Sequence, residues 1–292
     1  MGNTLLTPSI IAREALMVLR NNAVMAKLVH RDYSNEFVAG VGDTITVRKP
    51  ATFVAKEFTS AIEIQEATET GVPIKMDHHL DVSFSVTSKE MSLDIKDFSK
   101  QFLVPAMQAF NDKIDTLLLS LYKDVTAVAG DPAALPIAID PIVDAGALLN
   151  TAKAPLGDRR LVLDPLTEAA FMKLGTFHEA DKVGDNGTAL REASLGRKFG
   201  FDTYMDQNVQ KDGSQIIQNL AFHKNAFALV TRPLALPNGA AKAEVVNYDG
   251  FGLRVVYGYD ITKKTDTISI DMLCGVKTLD KTLAVKLQSK KA

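Results

Sequence analysis

Apolar side chains recur at three- and four-residue steps across a stretch entered at Asp94. Phe98, Phe102, Ala106, Phe110, Ile114, Leu117, Leu121 and Val125 make one stripe. Lys96, Lys100, Asn111, Asp112, Lys113, Asp115 and Lys123 fill the remaining positions, so the spacing predicts a long amphipathic helix with a wet back. At ~1.5 Å per residue, thirty helical residues would span about 45 Å, the length of a beam. Pro105 sits inside the pattern, lacks an N–H and crowds the carbonyl four residues back. A bend or restart is therefore expected between Leu103 and Ala106.

Just upstream lies the longest two-residue alternation in the chain. Ile74, Met76, His78, Leu80, Val82, Phe84 and Val86 alternate with Lys75, Asp77, His79, Asp81, Ser83, Ser85 and Thr87, which predicts one long strand feeding the beam. Near the start, Thr7-Pro8 is a helix-opening pair, followed by a stripe of Ile11, Ala15, Leu16, Leu19, Ala23 and Ala26 broken at Asn21-Asn22. A helix of this kind docks on its own core or clasps a neighbour. Gly40, Gly42 and Asp43 then give a turn, and Thr44 to Arg48 alternate as a strand. Between Ala51 and Val72, Phe53, Phe58, Ile62 and Ile64 stand isolated among Thr, Glu and Ala. This reads as an extended hairpin too thin to own a core, so its apolar side needs cover from elsewhere.

Asp131-Pro132, Pro136 and Asp140-Pro141 make a breaker-rich linker. After it, Ile142 to Thr151 reads as a helix, Arg160 to Leu163 as a buried strand and Pro165 to Leu174 as a helix, together a compact α/β lobe. Gly175 to Gly200 is polar and glycine-bearing and reads as a long loop. Phe201 to Met205 and Leu220 to Leu229 return to regular structure. The end is β-rich: Leu253, Val255, Tyr257, Tyr259 and Ile261 alternate, Lys263 to Asp266 turn, and Ile268, Ile270 and Met272 alternate again. Leu283, Val285 and Leu287 add a last strand. These strands and Ile74 to Val86 are expected to share one sheet beneath the beam, with the α/β lobe as an insertion. The class is α+β.

The chain has 292 residues, 46% of them hydrophobic, enough for a substantial core and for two domains. A net charge of -2 gives no global field to recruit nucleic acid or an acidic membrane. The charge is nonetheless uneven: acids dominate from Lys56 to Asp81 and lysines dominate after Asp260, which suits head-to-tail contact between copies. Cys274 is the only cysteine, so no intrachain disulfide forms and a reducing compartment is expected. No run reaches the roughly 18 apolar residues of a membrane span.

Searches for chemistry return little. No phosphate-cradling Gly-Lys-Ser/Thr run exists, no G-x-S-x-G elbow exists, and Gly250-Phe251-Gly252 precedes a strand instead of a helix. Asp77, His79 and Asp81 share a strand face at metal-ligand spacing, a pattern that an ordinary solvated face also produces. His178, Glu179 and Asp181 lie in a polar loop, and His30 and His223 are isolated. No catalytic, cofactor or metal residue is assigned.

Several stretches taken in order resemble a known family: LLTPSIIAREALMVLRNN, then RRLVLDP and LGRKFGFDTYMDQN, then NLAFHKNAFALVTRPL, and finally GLRVVYGYD with TISIDMLCGVKTLDKTLAV. The chain resembles the major capsid proteins of tailed bacteriophages, in particular the coat-protein family of short-tailed Salmonella phages. The resemblance implies an HK-ninety-seven-like fold. Residues 1–35 would be an N-arm, 36–73 an E-loop with flanking strands, 74–136 a peripheral domain with its spine helix, 137–221 an axial domain, and 222–292 a return to the peripheral domain and C-terminal strands. It also implies a non-enzymatic shell protein that assembles as pentamers and hexamers into an icosahedral head around double-stranded DNA contacted non-specifically. A separate scaffolding protein and a portal protein would be partners, and assembly would take place in the host bacterial cytoplasm. Assembly contacts are expected from the arm through Ile11, Arg13, Leu16 and Arg20, and from the hairpin through Phe53, Phe58, Ile62, Glu63, Ile64 and Glu66. Any inward basic surface would draw on Arg13, Arg20, Lys27, Lys290 and Lys291. Two alternatives stand beside this reading: an encapsulin-like compartment, and an α/β enzyme with its active site in the loop 175–200.

Overall fold

The computed structural model describes residues 8–22, 24–33, 43–49, 55, 57, 64, 70–87, 102–178, 195–239, 242–248 and 251–290. Pro8 opens helix α1 (Pro8–Asn22), which ends at the expected asparagine pair, and a single turn, α2 (Met25–Leu28), follows. The central helix α3 (Val104–Leu119) is entered through a π-helical turn at Phe102 and Leu103 and tightens into a 3-10 turn over Ser120–Asp124. Pro105 therefore stands in the first α turn, where no carbonyl partner awaits its missing N–H. The α-helix thus begins at Val104, inside the stretch where a bend or restart was expected, and residues 94–101 lie outside the described residues. Two polar positions assigned to the wet back, Asn111 and Asp115, are instead buried.

Strand β12 (Thr265–Thr278) is the rail of the first sheet, about 45 Å long at ~3.3 Å per residue. One of its edges pairs antiparallel with β3 (His78–Thr87), matching Ile270 to Val82 and Ile268 to Phe84. The other edge carries β11 (Phe251–Asp260) and then β9 (Phe227–Arg232), and β10 (Lys242–Tyr248) pairs outside β11. The strands far apart in sequence do share one sheet. The long alternating run, however, is two strands: β2 (Thr70–Lys75) ends before β3 begins and pairs with β1 (Thr44–Lys49) in a separate ribbon.

That split has a local cause at Gly275. A Cβ there would stand 2.3 Å from the carbonyl oxygen of Lys75 and 3.3 Å from Cα of Met76. The ribbon thus leaves the sheet by crossing β12 backbone to backbone, and only glycine leaves room for it.

The second sheet runs β4 (Ala127–Gly130), β13 (Ala284–Ser289), β8 (Ile217–His223), β5 (Arg159–Leu163), β7 (Phe201–Met205), β6 (Arg197–Lys198). Helices α4 (Asp140–Thr151) and α5 (Pro165–Met172) belong to this lobe, and Asp164 caps α5 by accepting from the Leu166 N–H at 2.9 Å. The last strand corrects an expectation. β13 lies between β4 and β8, so the C-terminus completes the α/β lobe's sheet and does not join the first sheet. Its Ala284, Val285, Leu287 and Ser289 are buried, the pattern of an interior strand. The lobe is stitched by chain from both ends and is more than a simple insertion.

The cores follow the topology. Phe110, Ile114 and Leu118 of α3 pack in one cluster with Ile11, Leu16 and Leu19 of α1, Leu253 and Val255 of β11, and Ile268 and Ile270 of β12. Val162, Leu220 and Phe222 from the second sheet join that cluster. Ile142, Leu149, Phe171, Phe177, Phe201 and Leu287 form a second core within the α/β lobe.

Candidate assembly surfaces

Helix α1 carries two apolar stripes, and the larger is spent inside the subunit. Ile11, Ala12, Ala15, Leu16 and Leu19 are buried where α1 packs against α3, β10 and β11. Ile11 and Leu16, expected at a subunit boundary, are therefore core residues: the helix docks on its own body because α3 and the sheet leave an apolar trough for it. The outward face instead shows Ile10 at 50% exposure and Met17 at 64%, with exposed Arg13 between them. These three fall at i, i+3 and i+7, a second stripe that sequence reasoning missed behind the stronger one. The side chain of Arg20 lies outside the described residues.

The ribbon is rooted in the body through its paired strands. Thr44 pairs with Lys75 and Lys49 with Thr70. Val47, Ile74 and Met76 pack on Ala228 and Val230 of β9, while Thr46, Arg48, Gly71 and Pro73 on the same strands are exposed. Beyond the paired strands Ala55, Glu57 and Ile64 are all exposed, and Ile64 is 89% exposed. Phe53, Phe58, Ile62, Glu63 and Glu66 lie outside the described residues. On the α/β lobe, Phe199, Tyr204 and Met205 add an apolar exposure at the β6–β7 edge.

A joint behind these surfaces fixes how the pieces sit. The short helix α2 is held at both ends by side chains that meet its free backbone groups. Oδ1 of Asp115 on α3 accepts the Met25 N–H at 3.1 Å, and the Arg160 guanidinium on β5 donates to the carbonyls of Leu28 and Lys27. Asp206, in the turn after β7, ties that turn to β5 through its N–H to the Leu163 carbonyl at 3.0 Å. Its Oδ1 accepts the Asn208 N–H at 2.8 Å, and Asn208 Nδ2 reaches Asp112 Oδ1 at 3.5 Å. The Asp115 and Asp206 carboxyls lie within hydrogen-bond reach of each other, and both residues are 3% exposed. Burial pushes the Asp115 carboxyl up to about 8, with the Asp206 charge adding to the rise, and burial likewise raises Asp206.

The described residues weighed for chemistry take part in local contacts. On β3, His79 Nε2 lies 3.4 Å from Asp271 Oδ2, and Asp81 accepts the Ser269 hydroxyl at 2.7 Å and that of Ser83. Arg254 clamps Asp271 from β11 through both carboxylate oxygens. This is a polar network across three strands, and among the described residues no group of three or more His, Cys, Asp or Glu is arranged to hold a metal. His30 stacks on Tyr33 at 4.5 Å, and His223 Nδ1 accepts the Asn225 N–H at the turn from β8 into β9. Cys274 is buried, which pushes its thiol up to about 12 and leaves it unreactive at neutral pH. In the 175–200 stretch, Phe177 of the short helix Gly175–His178 packs between Phe171 and Phe199, tying the loop's ends to the lobe core. Glu179 and Asp181 lie outside the described residues, as does the side chain of His178. Among the described residues, no helix is long and apolar enough to cross a membrane.

No family model matches the sequence, and no curated protein matches it. Solved structures match the fold. A chain of Mycobacterium phage Che8 is 20% identical at a TM-score of 0.69, covering 91% of each chain. The capsid structure of cyanophage P-SCSP1u is 13% identical at 0.58, covering 92% of this chain and 89% of that one. The virus-like particle from Pyrococcus furiosus is 13% identical at 0.52, covering 96% and 98%. At these identities the likeness is one of architecture, and it is end to end: the chain has the HK-ninety-seven-like α+β fold seen in phage capsids.

Proposed function

We propose that this chain is the major capsid subunit of a tailed phage, a tile that closes as pentamers and hexamers into an icosahedral head around double-stranded DNA. The observation that carries the reading is the ribbon. It is rooted on β9 by Val47 and Ile74, yet Ile64 beyond it is 89% exposed. A large apolar side chain left in solvent beyond a rooted ribbon is accounted for when a sister subunit covers it. A specific interface buries ~1,200–2,000 Å², and each tile in a shell has several neighbours, so modest contacts add up. The likeness to the cyanophage capsid structure over 92% of this chain supports the same reading. The reading assigns the chain no catalysis, places it in the virion after assembly in the host cytoplasm, and gives it a separate scaffolding protein and a portal as partners.

A second reading has its own support, since the likeness to the Pyrococcus furiosus particle spans nearly all of both chains. It makes the chain the wall of an encapsulin-like compartment with a protein cargo.

Size-exclusion chromatography with negative-stain microscopy tests the proposal. The expected result is hexamer-class rings or closed shells from the purified chain with its scaffold. A stable monomer or dimer with a ligand-dependent melting shift contradicts it and directs attention to the 175–200 loop. Particles filled with a protein cargo in place of DNA select the second reading.

A further inference from the structure

The Asp115–Asp206 contact joins α3 to the α/β lobe, and its hydrogen bonds do not close unless a hydrogen is added. Asp206 Oδ1 already receives the Asn208 N–H, but its Oδ2 is buried with no donor. Asp115 Oδ1 already receives the Met25 N–H. Among the described residues no other donor reaches Asp206 Oδ2, and a proton on one carboxyl is what pairs the two.

We propose that Asp115 and Asp206 form a proton-closed joint: one shared proton fastens the turn after β7 to the central helix, and its loss drives the two apart. The groups facing the pair fit this assignment. From α2 and the residue before it come the N–H groups of Val24, Met25 and Ala26, from the β7 turn comes Asn208, and from α3 itself comes Asp112, whose charge also opposes ionisation of Asp206. None of these strongest influences is a cation. Two carboxylates in contact in a dry site cannot both ionise cheaply, so the pair titrates as a unit and retains one proton. Asn111 lies one helical turn before Asp115 and is also buried, with neither amide atom partnered among the described residues. An opened joint would admit water to both.

The opening has a definite side. An ionised Asp115 is a better acceptor for the N–H groups of α2, so α2 stays and the repelled Asp206 turn moves. The sign of the pH dependence follows. The folded chain holds a proton that the unfolded chain releases above its ordinary carboxyl range near 4, so stability falls as pH rises from about 4 to about 8 and is level beyond.

Asp115→Asn keeps an acceptor for Met25 and supplies a permanent amide donor to Asp206, imitating the closed joint; Asp206→Asn offers the donor from the other side. The test is thermal melting of the unassembled full-length chain between about pH 6 and about pH 9, with hydrogen exchange at about pH 9. Wild type is expected to lose at least about 3 °C over that range, and either variant to lose less. Amides 206–210 are expected to exchange faster in wild type than in Asp115→Asn at the same pH, with 24–28 unchanged. Equal melting slopes in all three proteins overturn the joint. Recovery of wild type at about pH 9 by millimolar Ca²⁺ also overturns it, because a cation and not a proton would then bridge the carboxyls. The inference concerns the single subunit, so it stands or falls apart from the shell reading.

Discussion

Replacing residues 50–69 by Asn-Gly yields a subunit that folds and melts like the parent but builds no closed shells. Lys49 and Thr70 are the outermost pair of the ribbon, and Asn-Gly is the two-residue turn that closes such a pair with the right twist. The ribbon root survives, because Val47, Ile74 and Met76 still pack on Ala228 and Val230. Of the described residues in 50–69, Ala55, Glu57 and Ile64 are all exposed, so the subunit's own cores are expected to survive. What is lost is the segment beyond the root, including Ile64, which is 89% exposed in its own subunit. Circular dichroism, melting and negative-stain microscopy on parent and variant check the result. Normal particles from the variant would show that the arm is dispensable.

Gly275→Ala strikes the place where the ribbon is attached. The new methyl meets the Lys75 carbonyl oxygen at 2.3 Å and its carbon at 3.0 Å, a backbone obstacle with no rotamer to swing away. β12 cannot retreat, because Gly275 is flanked by residues paired with β9 on one edge, and Cys274 also pairs with His78 on the other. The movable partner is the Lys75–Met76 corner, so the strain pulls Met76 and Ile74 from their seat and re-aims the whole ribbon. Overpacking of this kind costs about 1–3 kcal/mol, sometimes more, which a urea titration resolves as a lower midpoint. The larger effect is on assembly, since a ribbon leaving at another angle misses its neighbour even where the subunit remains folded. Parent-like stability and normal shells from Gly275→Ala would mean that the close crossing is not required.

Much of this architecture was legible because it obeys one period at a time. The α3 stripe from Phe102 onward, the β11–β12 hairpin and the helix–strand–helix run at 140–174 each carry a clear signal, and each is found where the pattern puts it. Failures came where two physical demands share a stretch. The alternation from Ile74 to Val86 is continuous in sequence, but the crossing at Gly275 divides it into two sheets, and a glycine 200 residues away leaves no mark on the run itself. Strand β13 has the right pattern for either sheet, and only pairing with Asn219 and Ala127 decides between them.

The surfaces were read less well than the fold. α1 has apolar residues on two faces, and reasoning from the stronger stripe assigned Ile11 and Leu16 to a neighbour when their own core takes them. Ile10 and Met17, the residues left facing out, were visible as the odd members of the pattern. Asn111 and Asp115 looked like wet-face residues by composition. Nothing local in the sequence announces that Asp206, ninety residues later, will pack on the same face of α3.

Beneath these results is the claim that the ribbon finds its apolar cover on a sister molecule. Hydrogen exchange on the assembled particle and on the unassembled chain, read peptide by peptide over residues 44–75, tests it directly. The account predicts fast exchange beyond Lys49 in the free chain and strong protection of the same peptides in the particle, with α3 protected in both. Equal exchange of those peptides in the two states would contradict it.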